Sequence, residues 1–558
     1  MRRREVVKRS NTIKMVFGII LTAGVIFGAA GTYDALNAGK GSVAEAAGRV
    51  VSIDSCTISG DSVVVDVSAE NLPGSDDGKY YLYADEVYQD GVTGEVVATT
   101  DKGKKATFKF DLALGKKESN LSKKFLVAVK SGGSMVQVSD EHYITNPEAI
   151  ASKTVGRNDH GIKGILPNDA DAATFKDLGI AQMVYNLYMG DIVGPSTNGA
   201  YPTTEFSYDG KTYQFNTAAL QQYDGFVRWC SINNFQLTLT ILNNKTEAGA
   251  DLIHPLSRDA HVCPGYAMNT KEDAGTQHLK AIAAFLAQRY SGGQFGTVDN
   301  WVIGNEINAR TEWYYMDSTN LELNVSEYVK AFRIFYNGIK SVNANARVYN
   351  SIDQEWNRKS NPGCFLAKEY LDRFNYYIRR EGNVDWSLSV HPYNAPLFDP
   401  YAWKQQSQYV NTSLSTPYIT IENIYLLTDY MNRAEMLNPA GNVRQISLSE
   451  IGYKSSFGED AQLASIVYAY TMAKSNPYIT SFILFRETDD AHEMESHIAQ
   501  GLKNLDGSKK QSYDAYKYMD TKEAGTYKAK ASKIIGQDVD ALVANRTFMS
   551  RNGWFLND

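Results

Sequence analysis

The chain has 558 residues, 43% hydrophobic and 21% charged, a balance that describes a globular protein of more than one domain and excludes a disordered one. Its 56 Lys and Arg against 63 Asp and Glu give a formal charge of −7, and no basic patch gathers beyond the first fifteen positions, so no nucleic-acid partner is expected. Cys56, Cys230, Cys263 and Cys364 lie far apart with no C-x-x-C pair and are expected to be buried free thiols.

At the N-terminus, Arg2, Arg3, Arg4, Lys8, Arg9 and Lys14 precede an apolar stretch from Met15 to Ala30, the charged-then-apolar order of a secretory signal. Residues 1–46 are therefore expected to be a signal peptide, with Ala44-Glu45-Ala46 as the cleavage site, or an uncleaved membrane anchor with its basic end inside. Either reading puts the rest of the chain outside the cytoplasmic membrane, extracellular or at the cell surface.

From residue 49 to 148 the apolar period is two, in strings such as Val63-Val64-Val65-Asp66-Val67 and Phe125-Leu126-Val127-Ala128-Val129, separated by Gly, Asp, Asn and Ser. That pattern predicts a small all-β sandwich. No cluster of exposed aromatics is evident, so a structural spacer is favoured over a carbohydrate-binding module.

Residues 157–545 alternate strand and helix. Strands are expected at Gly161 to Leu166, Ala181 to Leu187, Gln236 to Leu242, Val298 to Gly304, Ala346 to Ile352, Trp386 to Val390, Gln445 to Ser449 and Thr480 to Phe485, each leading to a helix-period stretch. Eight such units predict an α/β fold, a (β/α)8 TIM barrel, preceded by the sandwich. A doubly wound sheet fits less well, because no Gly-rich phosphate loop follows the first strand.

A barrel gathers the C-terminal ends of its strands on one face. Those ends read Asn186, Asn243, Asn305 with Glu306, Asp353 with Gln354 and Trp356, His391 with Tyr393, Glu450, and Arg486 with Glu487. Amides and carboxylates suit sugar hydroxyls, and aromatic faces suit the apolar side of a sugar ring. Glu306 and Glu450 each end a run that hydrophobic burial would not close with a carboxylate. Paired on one face, they point to acid/base and nucleophilic work on a glycosidic bond. No pattern calls for a cofactor, and the Pro- and Gly-rich loop holding His254, His261 and Cys263 fits no zinc spacing.

On these residues the chain resembles the clan A glycoside hydrolases, which are retaining enzymes on a (β/α)8 barrel, as a divergent bacterial branch. The resemblance implies that Glu306, after Asn305 at the end of the fourth strand, is the acid/base and that Glu450, ending the seventh, is the nucleophile. His391-Pro392-Tyr393 is similar to the clan's His-x-Tyr, and Gly501-Leu502, Asp506-Gly507-Ser508 and Ser512 to Tyr518 are similar to its tail. One departure stands out: where many members carry a Trp at the end of the eighth strand, this chain has Arg486, which raises an acidic or otherwise unusual sugar as one explanation. The expected function is exported hydrolysis of β-linked oligo- or polysaccharides, with Asn305, His391, Tyr393, Asn186, Asn243, Trp356 and Arg486 as substrate-binding candidates. The alternative is a non-catalytic glycan- or envelope-binding barrel.

Overall fold

The computed structural model describes residues 49–397 and 399–551. The segment expected to be a signal or anchor lies outside them, and no described helix is long and apolar enough to cross a membrane.

The N-terminal part is two antiparallel sheets. One joins β1 (Val51–Ser59), β2 (Ser62–Ala69) and β5 (Lys105–Asp111) in the order β1-β2-β5. The other orders β4 (Glu95–Asp101), β3 (Lys79–Asp85), β6 (Lys124–Ser131) and β7 (Ser134–Gln137), with β8 (His142–Tyr143) also pairing β6. Alternate residues of each sheet turn inward: Val63, Val65 and Val67 meet Tyr80, Leu82, Phe125 and Val127 in one buried cluster. This is the sandwich that the period-two pattern anticipates.

The rest is a closed parallel barrel. Its eight strands are β9 (Lys163–Ile165), β10 (Gln182–Tyr188), β13 (Gln236–Leu242), β14 (Asn300–Ile303), β15 (Arg347–Ile352), β16 (Ser387–Val390), β17 (Ile446–Ile451) and β18 (Ile479–Leu484), and β18 pairs back onto β9. A hairpin of β11 (Thr204–Tyr208) and β12 (Lys211–Phe215) is inserted after β10. Helices between the strands start on side-chain caps where the chain offers them, as at Asn216 and Asn320, whose oxygens accept from Ala219 N and Leu323 N. The helix Ala367–Arg380 buries Tyr370, Leu371, Phe374 and Ile378 along one stripe. Two final helices, Ala524–Ile535 and Val539–Arg551, pack on the helix Glu459–Ser475.

The barrel strands bury both faces but not with the same chemistry. Leu237, Leu239 and Ile241, Trp301 and Ile303, Leu388 and Val390, and Ile446 and Leu448 face the helices in one continuous core. The paired register puts Gln236, Thr238, Thr240, Asn300, Ser387, Ser389, Ser447 and Ser481 on the opposite, inner face. There the Asn300 amide donates to Gln236 and Thr238, and the Ser389 and Ser449 hydroxyls lie 2.5 Å apart. Higher up, Leu166, Val184, Ile483 and Phe485 form a small apolar plug.

Candidate active site

Glu306 follows β14 through Gly304 and Asn305, and both Gly304 and Glu306 have positive φ, +77° and +39°. For a glutamate that conformation is strained, and such strain concentrates where a side chain must be aimed. Its backbone N–H donates to Ser351 Oγ at the end of β15, which fixes the turn. Glu450 is aimed by a different device. Between the paired rungs Leu448–Phe482 and Ile451–Leu484, β17 uses three steps where β18 uses two. The extra residue is a bulge, and it lets Ser449 and Glu450 depart from the simple alternation that would turn one of them outward.

The two carboxylates flank His391, just beyond β16. Its Nδ1 lies 2.7 Å from Glu306 Oε1 and 3.9 Å from Glu450 Oε2. Those oxygens are therefore no more than about 6.6 Å apart, 2.7 and 3.9 laid end to end. The Tyr393 hydroxyl donates to Glu450 Oε1 at 2.7 Å.

Burial, and then the charge of Glu450, push the Glu306 carboxyl above the ordinary glutamate range, while the hydrogen bond and charge of His391 pull the other way. Burial opposes the charge of His391, yet the Glu450 carboxylate and then Glu306 prevail and hold its pKa above that of a free imidazole. Tyr393 is pushed up by burial and by Glu450. The Glu450 side chain is more open, 24% exposed against 14% for Glu306.

Two further acids stand at the end of β15. Asp353 Oδ1 accepts from the Asn308 amide at 2.8 Å and from Glu355 N at 2.7 Å, and Glu355 Oε1 accepts from Ser360 N and Oγ. Burial, then the charges of Glu355 and Glu306, raise Asp353 well above the usual carboxylate range. The signal that singled out Glu306 and Glu450, a carboxylate closing a buried strand, is present here too in Asp353-Gln354-Glu355.

The other residues expected at the mouth divide. Asn305 is buried beside Glu306, and Asn186 is half-buried on the inner face of β10. Asn243 is turned away from the mouth: its amide donates to Leu252 O and Ala267 O, where it ties down the long loop after β13. Trp356 is not available as a sugar platform. It is 1% exposed and packs edge-on against Tyr430, 5.1 Å between centroids, in the core outside the barrel. Arg486 pairs with Asp490 at 2.9 Å and with Glu493 at 3.3 Å, whereas Glu487 pairs with Lys503. In the loop after β13, His261 Nε2 lies 2.8 Å from Thr311 O and Cys263 Sγ donates to Gly265 O, so each has a local structural bond.

Fold and site together define a (β/α)8 barrel with a histidine-bridged carboxylate pair at its mouth. Residues 155–542 match the model of a family described as a family of unknown function, DUF5722, and the chain belongs to that family. No curated protein matches it. Among solved structures it is similar to a family 39 glycoside hydrolase from Bacteroides cellulosilyticus, at 16% identity over 80% of this chain and 78% of that one, with a TM-score of 0.43. It is also similar to a β-glucuronidase of Dictyoglomus thermophilum, at 11% identity over 84% and 68% with a TM-score of 0.34. A fungal β-1,4-galactanase aligns at 11% identity over 65% and 98% with a TM-score of 0.40.

Proposed function

We propose that the protein is an exported retaining glycoside hydrolase acting on β-linked glycans, with Glu450 as nucleophile and Glu306 as acid/base. The observation that carries this reading is the limit of about 6.6 Å on the gap between the two glutamates, set by His391 between them. Retaining enzymes hold their carboxyls about 5–5.5 Å apart, and inverting ones about 6.5–9.5 Å apart, to admit a water. Export is supported by the basic-then-apolar order of the first thirty residues.

Each side chain has a task in that scheme. A Glu450 oxygen attacks the anomeric carbon, the glycosidic C–O bond breaks, and Glu306 gives its proton to the departing oxygen. Burial and the neighbouring negative charge keep that proton on Glu306 at pH values where a free glutamate has lost it. Once Glu450 is esterified its charge is gone, so Glu306 becomes more acidic. It then takes a proton from the incoming water, whose oxygen displaces the ester. Tyr393 holds the attacking carboxylate through its 2.7 Å hydrogen bond. In this scheme Asn305, next to Glu306 in the chain, hydrogen-bonds the hydroxyl beside the anomeric carbon.

The test is a panel of plant, fungal and bacterial polysaccharides and aryl β-glycosides, read by released reducing ends or aglycone. On a responsive substrate Glu306→Gln and Glu450→Gln each lower turnover by roughly 10²–10⁴-fold. Azide restores product as the inverted glycosyl azide when Glu450 is shortened to Ala or Gly, and as the retained one when Glu306 is. Full activity in either Gln variant ends the reading.

A further inference from the structure

The presence of Arg486 at the end of the eighth barrel strand suggests a receptor for a sugar carboxylate, and the surrounding charges argue against it. Its guanidinium, 2% exposed, already meets two acids, Asp490 at 2.9 Å and Glu493 at 3.3 Å. Asp490 alone balances its charge. Glu493 is a further acid beside the site: burial raises it to about 7, and the charge of Glu450 adds to the shift. Two further cations of this segment are matched in the same way, Lys503 by Glu487 at 2.8 Å and Lys510 by Asp489 at 2.7 Å. On the opposite side of the mouth, Arg310 gives its N–H groups to Gly363 O and Met316 O, and Lys359 gives an ammonium proton to Cys364 O. Against this stand Glu306, Glu450, Asp353 and Glu355, with His391 between the first two.

We propose that this site takes a glycan of uncharged sugars and rejects uronic acids, because Asp490 and Glu493 cancel Arg486 where a substrate carboxylate would need it. The inference deepens the glycosidase reading and rests on it. A uronate bound here would bring its negative charge beside the Glu450 carboxylate with the Arg486 guanidinium already matched by its own acids, and like charges at close range in a partly dry site repel strongly.

The experiment compares pairs of p-nitrophenyl β-glycosides differing only in oxidation at C6, glucoside with glucuronide and galactoside with galacturonide. In whichever pair is cleaved, kcat/KM for the neutral member exceeds that for the uronide by at least tenfold. Asp490→Asn keeps the helix cap, because an Asn oxygen can still accept from His492 N and Glu493 N. Together with Glu493→Gln it unmatches Arg486 and narrows the ratio several-fold, a change that a purely structural role for the pair would not produce. Equal or better cleavage of the uronide by the native enzyme overturns the proposal, and so does a ratio unmoved in Asp490→Asn alone and in the double variant. If neither member of any pair is cleaved, binding of deoxynojirimycin and of its C6 carboxylic acid to Glu450→Gln is measured by calorimetry. Equal or tighter binding of the acid, or binding of neither, likewise overturns it. Loss of catalysis in Glu306→Gln and Glu450→Gln bears on the mechanism separately, so the two failures are distinguishable.

Discussion

His391 decides how the two glutamates share their charge. It lies within hydrogen-bonding reach of Glu306, and its interaction lowers a carboxyl that burial raises. Replacing it with Asn removes that opposing pull, so the alkaline limb of kcat/KM moves to higher pH while the maximal rate falls. A pH–rate profile with an unmoved alkaline limb would exclude the coupling. The sign for stability is also fixed. Because the folded pKa of His391 lies above its ordinary 6.5, its contribution is complete below about pH 6.5 and is lost as pH rises through the folded value. The paired glutamates were legible in the sequence because each closes a run that otherwise reads as buried strand. Asn243 and Trp356 carried the same positional signal, yet both turned away. A residue one to four places past a strand end is oriented by the loop that follows, and strand periodicity holds no information about that loop.

At the scale of the element, the devices that aim the two glutamates differ in kind and in how far a sequence reveals them. Gly304 announces itself: a Cβ there would sit 3.0 Å from Ile307 Cγ2 at φ +77°. Gly304→Ala is expected to cost about 1–3 kcal/mol, measured by denaturant unfolding, and to lower activity beyond what the lost stability explains. The bulge at Ser449 and Glu450 leaves no such mark, since it exists only in the pairing of β17 with β18. Strand positions emerged well from strings such as Thr238-Leu239-Thr240-Ile241-Leu242 and Ser387-Leu388-Ser389-Val390, where small polar residues alternate with large apolar ones. The hairpin of β11 and β12 lies outside the eight strands that the apolar period predicts. Its signal was Asp209-Gly210, both at positive φ, +47° and +77°, as a tight two-residue hairpin turn requires.

Across the whole molecule, the sandwich is fastened to the outside of the barrel over three consecutive helices. Lys280 Nζ meets Glu86 at 2.5 Å, the Asn337 amide donates to Leu121 O at 2.9 Å, and Arg380 Nε donates to Asp140 at 2.9 Å. The Lys280 side chain is 1% exposed and that of Glu86 12%. Glu86→Gln therefore leaves a buried ammonium without its counter-charge, at an expected cost of about 3 kcal/mol. Thermal unfolding of the full chain should show that loss, whereas an unchanged midpoint would mean the joint contributes little. The number of units and their order could be read from the chain, but this joint could not, because its partners lie up to 240 residues apart.

The polar lining of the barrel strands has a consequence of its own. Most of the apolar mass forms an annulus between sheet and helices, while hydroxyl and amide side chains share the lumen with the small plug of Leu166, Val184, Ile483 and Phe485. Mechanical closure and polar side chains are thus housed in separate compartments of one sheet. Exchanges among lumen residues can redraw the polar outline of the barrel interior and leave the sealing ring intact, without rebuilding the scaffold.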